Sequence, residues 1–134
     1  MSDCAAREPR LRGYFAEGDL SGKQHHFVKF GTKKNTVTAI TAATDTVVGI
    51  LHDFRKDGTD GDSCDVALPG GGGFLKMAAA LAPGAEVKTD ATGQGVAATT
   101  ANDKVAAMLD ALDGNTAVGD VVACEVTHPY RIHA

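Results

Sequence analysis

The sequence predicts an all-β protein: a small β-barrel or sandwich built from two degenerate repeats, with an extended N-terminal arm. Three observations carry this reading. Short apolar and β-branched runs alternate with dense turn signals, KDGTDGD (56–62), LAPGAE (81–86), TDATGQG (89–95) and LDGNTAVGD (112–120); this is the rhythm of many short strands. Small residues dominate, with 16 glycines, 5% aromatic residues and no Trp. Third, the chain repeats itself.

The repeat is clearest between TAATDTVVGIL (41–51) and TTANDKVAAML (99–109), where Asp45 falls on Asp103, Val47 on Val105 and Leu51 on Leu109. The same spacing carries Gly61-Asp62 onto Gly119-Asp120 and SCDVAL (63–68) onto VVACEV (121–126). With a one-residue slip, Phe27-Val28-Lys29 matches Glu86-Val87-Lys88. Further back, GYF (13–15) resembles GFL (73–75), and LSG (20–22) resembles LAPG (81–84). The organisation expected is an arm over residues 1–12, one β domain over 13–130 made of pseudo-repeats 13–69 and 73–130, and a tail over 131–134.

In chain order, strands are expected at 25–30, 35–40, 45–54, 63–68, 74–78, 86–89, 95–99 and 120–127. Residues 102–112, rich in Ala, Leu and Met, read alone as a helix. The counterpart DTVVGILHDF (45–54) is β-branched, so the repeat makes both strands. The expected arrangement is two β-meander halves closing on each other. Between them lies LPGGGGFLK (68–76). A phosphate loop requires GxxxxGK[ST] between a strand and a helix, and Lys76 is followed by Met77. Gly70, Gly71, Gly72 and Gly73 are therefore read as a structural hinge, where glycine admits positive φ at little steric cost.

The chain has 134 residues, 43% of them hydrophobic, enough for one unstapled core. A net charge of −4 argues against direct nucleic-acid binding, and no apolar run reaches membrane-spanning length. The opening MSDCAAREPRLR has no apolar leader segment. Cys4, Cys64 and Cys124 are odd in number and far apart, which reads as reduced thiols from cytoplasmic synthesis. His25, His26, His52, His128 and His133 form no metal-binding spacing, and no serine sits in a nucleophile elbow. The acidic stretch DFRKDGTDGDSCD (53–65) reads as a solvated turn, since it lacks the closing Glu of a calcium loop. No catalytic residue, cofactor or metal is expected, and no enzyme. The arm, with Arg7, Arg10 and Arg12, and the adjacent Tyr14 and Phe15 are the candidate contact residues.

The residues also resemble a known family. GDLSGKQHHFVKF (18–30), ATDTVVGIL (43–51) and GDSCDVALPGGG (61–72) are similar to the decoration, or cement, proteins of tailed-bacteriophage heads. The matching positions are Gly18, Leu20, Gly22 and Val28; Ala43, Thr44, Asp45, Val47, Gly49 and Leu51; then Gly61, Asp62, Val66 and Leu68. The resemblance implies a small barrel on the capsid exterior, a homotrimer or homodimer bridging major capsid proteins and bracing the shell. The alternatives are a small-ligand or carbohydrate-binding β module, or a tail or fibre component.

Overall fold

The computed structural model describes residues 8–101, 103–109 and 117–127. Among them are ten strands: β1 (Leu11–Ala16), β2 (Phe27–Phe30), β3 (Thr36–Ala39), β4 (Gly49–Phe54), β5 (Ser63–Ala67), β6 (Gly72–Lys76), β7 (Glu86–Thr89), β8 (Gly95–Ala97), β9 (Ala107–Leu109) and β10 (Val121–Val126). The first five close into a barrel in the order β1-β3-β2-β4-β5, and the second five form a sheet in the order β6-β10-β9-β7-β8.

The two orders are one order. Replacing each strand of the barrel by the one five places later, and reading round from β1 through β5, gives the order of the second sheet. In the barrel, β1 and β3 close the ring as a parallel pair, Ala16 beside Val37. In the second half the equivalent seam is a single parallel bridge, Met77 beside Gly95, with the Ala78 amide donating to the Gly95 carbonyl. The expected meanders are thus corrected: a parallel closure inside each half replaces simple up-and-down pairing.

Local chemistry repeats with the topology. Asp45 accepts the amides of Thr41 and Ala42 and pairs with Lys29 at 3.0 Å. Asp103 accepts the amide of Thr100 and pairs with Lys88 at 3.3 Å. Asp62 accepts the Thr59 amide, and Asp120 the Ala117 amide. Gly61 and Gly119, at φ of 87° and 90°, donate to the carbonyls of Ala16 and Met77. Cys64 and Cys124 each sit 3.6 Å from a carbonyl of the neighbouring strand, that of Tyr14 and that of Gly73.

Two apolar clusters form the core. Tyr14, Ala16, Leu20, Val28, Val37, Leu51, Cys64 and Val66 fill the barrel. The other joins Leu75, Met77, Val87, Ala107, Leu109, Val122 and Val126 to Phe27, Ile40, Ile50 and Ala67 of the first half. Strands β2, β4 and β5 therefore bury both faces. Val28, Leu51 and Val66 point into the barrel; Phe27, Ile50 and Ala67 point at the second sheet. This explains their continuous apolar runs, because a strand covered on both sides has no polar face to alternate with. Gly73 is where the halves touch: a Cβ there would lie 3.2 Å from Ile50 Cδ1 and from Val126 Cγ2.

Several expected boundaries move. β1 was not foreseen as a strand, and Leu11 and Arg12, assigned to the arm, pair with Ala67 and Val66. The carbonyls of Glu8 and Arg10 also accept backbone amides, from Gly72 and Leu68. The expected strand at 25–30 begins at Phe27, because His25 has φ 66° and turns the chain. The expected strand at 45–54 begins at Gly49, because the Asp45 carboxylate ties residues 41–45 into a turn. Of residues 102–112, the described part contains β9. The tail and the end of the second pseudo-repeat lie outside the described residues.

Phe27 is 1% exposed. Replacing it with Ala is expected to cost about 3–5 kcal/mol in urea unfolding, as large-to-small changes at buried aromatics do. Backbone amides, first that of Thr41, and then Lys29 lower the Asp45 carboxyl from 3.8 to about 2. Its stabilisation is therefore full above 3.8 and lost as pH falls through about 2. Urea midpoints between pH 5 and pH 2 should show a smaller acid loss in Asp45→Asn than in the wild type.

Candidate functional site

The outward face of β1 alternates with its buried one. Leu11, Gly13 and Phe15 point outward, while Tyr14 and Ala16 point into the barrel. Leu11 is 45% and Phe15 50% exposed, with bare Gly13 between them. A Cβ at Gly13 would meet nothing nearer than Asp65 Oδ1 at 4.0 Å, so this stretch of backbone is open to a partner. Beside it lies a shallow depression of about 470 Å³ edged by Phe15, Arg55, Ser63 and Asp65. A smaller hollow of about 250 Å³ continues it past Asp53. Asp53 and Asp65 are register partners across β4 and β5, next to the bulge after Leu51. The face therefore offers an aromatic wall, a guanidinium and two carboxylates on a rigid support.

Among the predicted contact residues, Phe15 is on this face. Tyr14 is not: it is 6% exposed, with the Arg12 guanidinium carbon 5.4 Å above its ring and Phe30 edge-on at 6.2 Å. The period of two along β1 sends the Tyr14 side chain inward. Arg12 is held by that ring, and Arg10 donates from Nη1 to the Pro69 carbonyl at 3.2 Å. Arg7 lies outside the described residues. Asp53, Arg55, Ser63 and Asp65 were not singled out as contacts; the alternation of LRGYFA (11–16) against SCDVA (63–67) is the signal that finds them.

The hinge glycines have separate tasks. Gly70, at φ 94°, makes the turn from β5 to β6. At Gly71 a Cβ would come within 2.5 Å of the Arg10 amide nitrogen, so only glycine lets the chain before β1 pass. Gly72 and Gly73 belong to β6 itself.

The remaining reactive groups serve the fold. The Cys64 thiol is pushed up to about 11, first by burial and then by Asp65, which suppresses the nucleophilic thiolate. Glu17 accepts the amides of Thr32 and Lys33, which lower its carboxyl, and thereby ties the β2–β3 hairpin to β1. In the acidic turn, Asp60 accepts the Gly18 amide and Asp62 caps Thr59. No group of three or more potential metal ligands occurs among the described residues. No protein-family model matches this chain, and no curated protein matches it.

Gly71→Ala is expected to lower stability by about 1–3 kcal/mol, the usual cost of overpacking. Gly22→Ala, with open space at its Cβ and no positive φ, should change it by under about 0.5 kcal/mol. Paired urea titrations compare them.

Proposed function

We propose that this chain is a structural virion protein, a decoration protein that binds the outer surface of a tailed-phage head and bridges its major capsid proteins. The observation that carries the reading is the β1 face. Leu11 and Phe15 stand half-exposed around Gly13 on a strand that pairs with β5 along Leu11–Phe15 and with β3 at Phe15 and Ala16. Two half-exposed apolar side chains around a bare glycine favour docking through side chains. The resemblance of residues 18–126 to the decoration proteins supports the same role.

The depressions support it too, being open and shallow where a small-molecule site would enclose its ligand. Two β units that share one apolar cluster suit a brace. Self-association as a homotrimer or homodimer belongs to the proposal: several weak contacts held in one oligomer gain affinity through effective concentration. Preferential binding to the expanded shell would stabilise that state by mass action.

The test is quantitative mass spectrometry of DNA-filled particles separated on a density gradient. A fixed, high copy ratio to the major shell protein is expected; absence from the particles would overturn the reading. Phe15→Asp should reduce attachment to heads at least tenfold in a sedimentation binding assay. Its thermal midpoint should stay close to wild type, since half of Phe15 is already in solvent.

A further inference from the structure

Between β1 and β2 the chain makes a strap that crosses from one half to the other. The His25 amide donates to the Leu51 carbonyl on β4, and the Leu51 amide returns a bond to the His26 carbonyl. From the second half, the Lys76 amide on β6 donates to the His25 carbonyl, and the Phe27 amide donates to the Gly93 carbonyl just before β8. The strap thus lies against both edges of the weak seam of the second sheet, which among the described residues is closed at Met77–Gly95 with the Ala78 amide bond beside it. His25 holds the left-handed conformation that this crossing needs, and its ring stands edge-on to Phe74 of β6 at 6.4 Å.

Two imidazoles lie near this crossing, close enough for His52 to act electrostatically on His25. The Nδ1 atoms of His25 and of His52 on β4 are both buried, and neither has a hydrogen-bond partner. Gln24 Nε2 reaches over to the His52 carbonyl at 3.2 Å, closing the cluster. A neutral ring protonated at Nε2 leaves only a bare lone pair at such an Nδ1. A protonated ring places an N–H donor there with no acceptor, together with a charge taken from water. Charging both rings adds like-charge repulsion.

We propose that His25, with His52 near it, is an acid-sensitive latch between the two halves: with a neutral His25 ring the strap is held against β4 and β6, and with that ring protonated the strap's bonds to both loosen. The groups acting on His25 are His52, the Phe74 backbone and Asp53, and those acting on His26 beside it on the strap are Lys23, Lys76 and Asp90. Asp53 opposes the switch for His25, and Asp90 does so for His26; Lys23 and Lys76 favour the neutral form of His26. Burial first, then His52, lowers the His25 ring below its ordinary 6.5, outweighing the Phe74 backbone and Asp53. His26 is lowered by burial and donates from Nδ1 to the Gln24 carbonyl at 3.0 Å.

The sign follows from these directions. A histidine whose folded value is lowered gives stability that is full above 6.5, erodes as pH falls below it, and stops eroding once the folded form also titrates. The loss should be local, falling on the amides that bond to the strap.

The experiment is an NMR titration of the full chain from about pH 7.5 to about pH 5.0, the pH window that histidine titration sets, following imidazole resonances and amide protection factors together. His25 should titrate below 6.5, and protection at Lys76, Leu51 and Phe27 should fall at least tenfold. Ala16 and Leu109, bonded to Asp62 and Ala85 within their own halves, should change less than threefold. The double variant His25→Asn, His52→Gln removes both imidazoles while keeping a residue that tolerates positive φ at 25, and its Lys76 protection should fall several-fold less in acid than that of the wild type, with His26 still in place. Should that variant fail to fold, the wild-type titration decides alone. The latch is overturned if His25 titrates at or above 6.5, if Lys76 stays protected at pH 5.0, or if the folded variant loosens in acid as the wild type does.

Discussion

The structure depends on one misallocated side chain. Phe27 belongs by sequence and pairing to the first barrel, yet it is buried in the cluster that fills the second sheet. Ile50 and Ala67 do the same from β4 and β5. The second sheet is thin, with three-residue strands β8 and β9, and its own apolar residues include several alanines. Apolar area removed from water is what offsets chain entropy, and here part of that area comes from the other half. The two repeats consequently form one cooperative core despite their separate sheets.

Duplication supplied the plan, and divergence redistributed the volume within it. At the parallel closure the barrel pairs Ala16 with Val37, while the second half pairs Met77 with Gly95. Small beside medium has become large beside none. A Cβ at Gly95 would come within 2.8 Å of Met77 Sδ and of Leu75 Cδ2. Interiors are close-packed, so compensating changes of this kind preserve a fold where single ones damage it. The charged residues diverged less. Lys29–Asp45 and Lys88–Asp103 occupy equivalent places, because a carboxylate that accepts turn amides fixes backbone geometry, and few other side chains do that.

The face available to a partner follows from the same economy. Strands β2, β4 and β5 spend their outward apolar residues on the other half, whereas β1 is left with Leu11 and Phe15 in solvent. Docking on β1 would leave the shared core undisturbed. The strap lies on the opposite account: its polar groups join the halves, and the unpartnered imidazole nitrogens of His25 on the strap and His52 on β4 are the least satisfied buried side-chain atoms described.

Much of this was legible in the sequence. Turn residues fixed the β class, since glycine at positive φ and aspartate accepting turn amides act within a few residues of themselves. The repeat was legible because Asp45 and Asp103, and Asp62 and Asp120, were retained for that local role. The hinge at Gly70 was legible for the same reason. The candidate site was legible only in Phe15. The direction of Tyr14 depends on the register of β1, and β1 was hidden by Arg12 and Gly13 interrupting its apolar pattern. Which strands close each ring, that Phe27 crosses to the other core, and that His25 lies within electrostatic reach of His52 were decided by tertiary structure alone. Those contacts join residues distant in the chain through packing on both faces of a sheet, and a two-sided strand carries no alternation that would say which neighbour each face will meet.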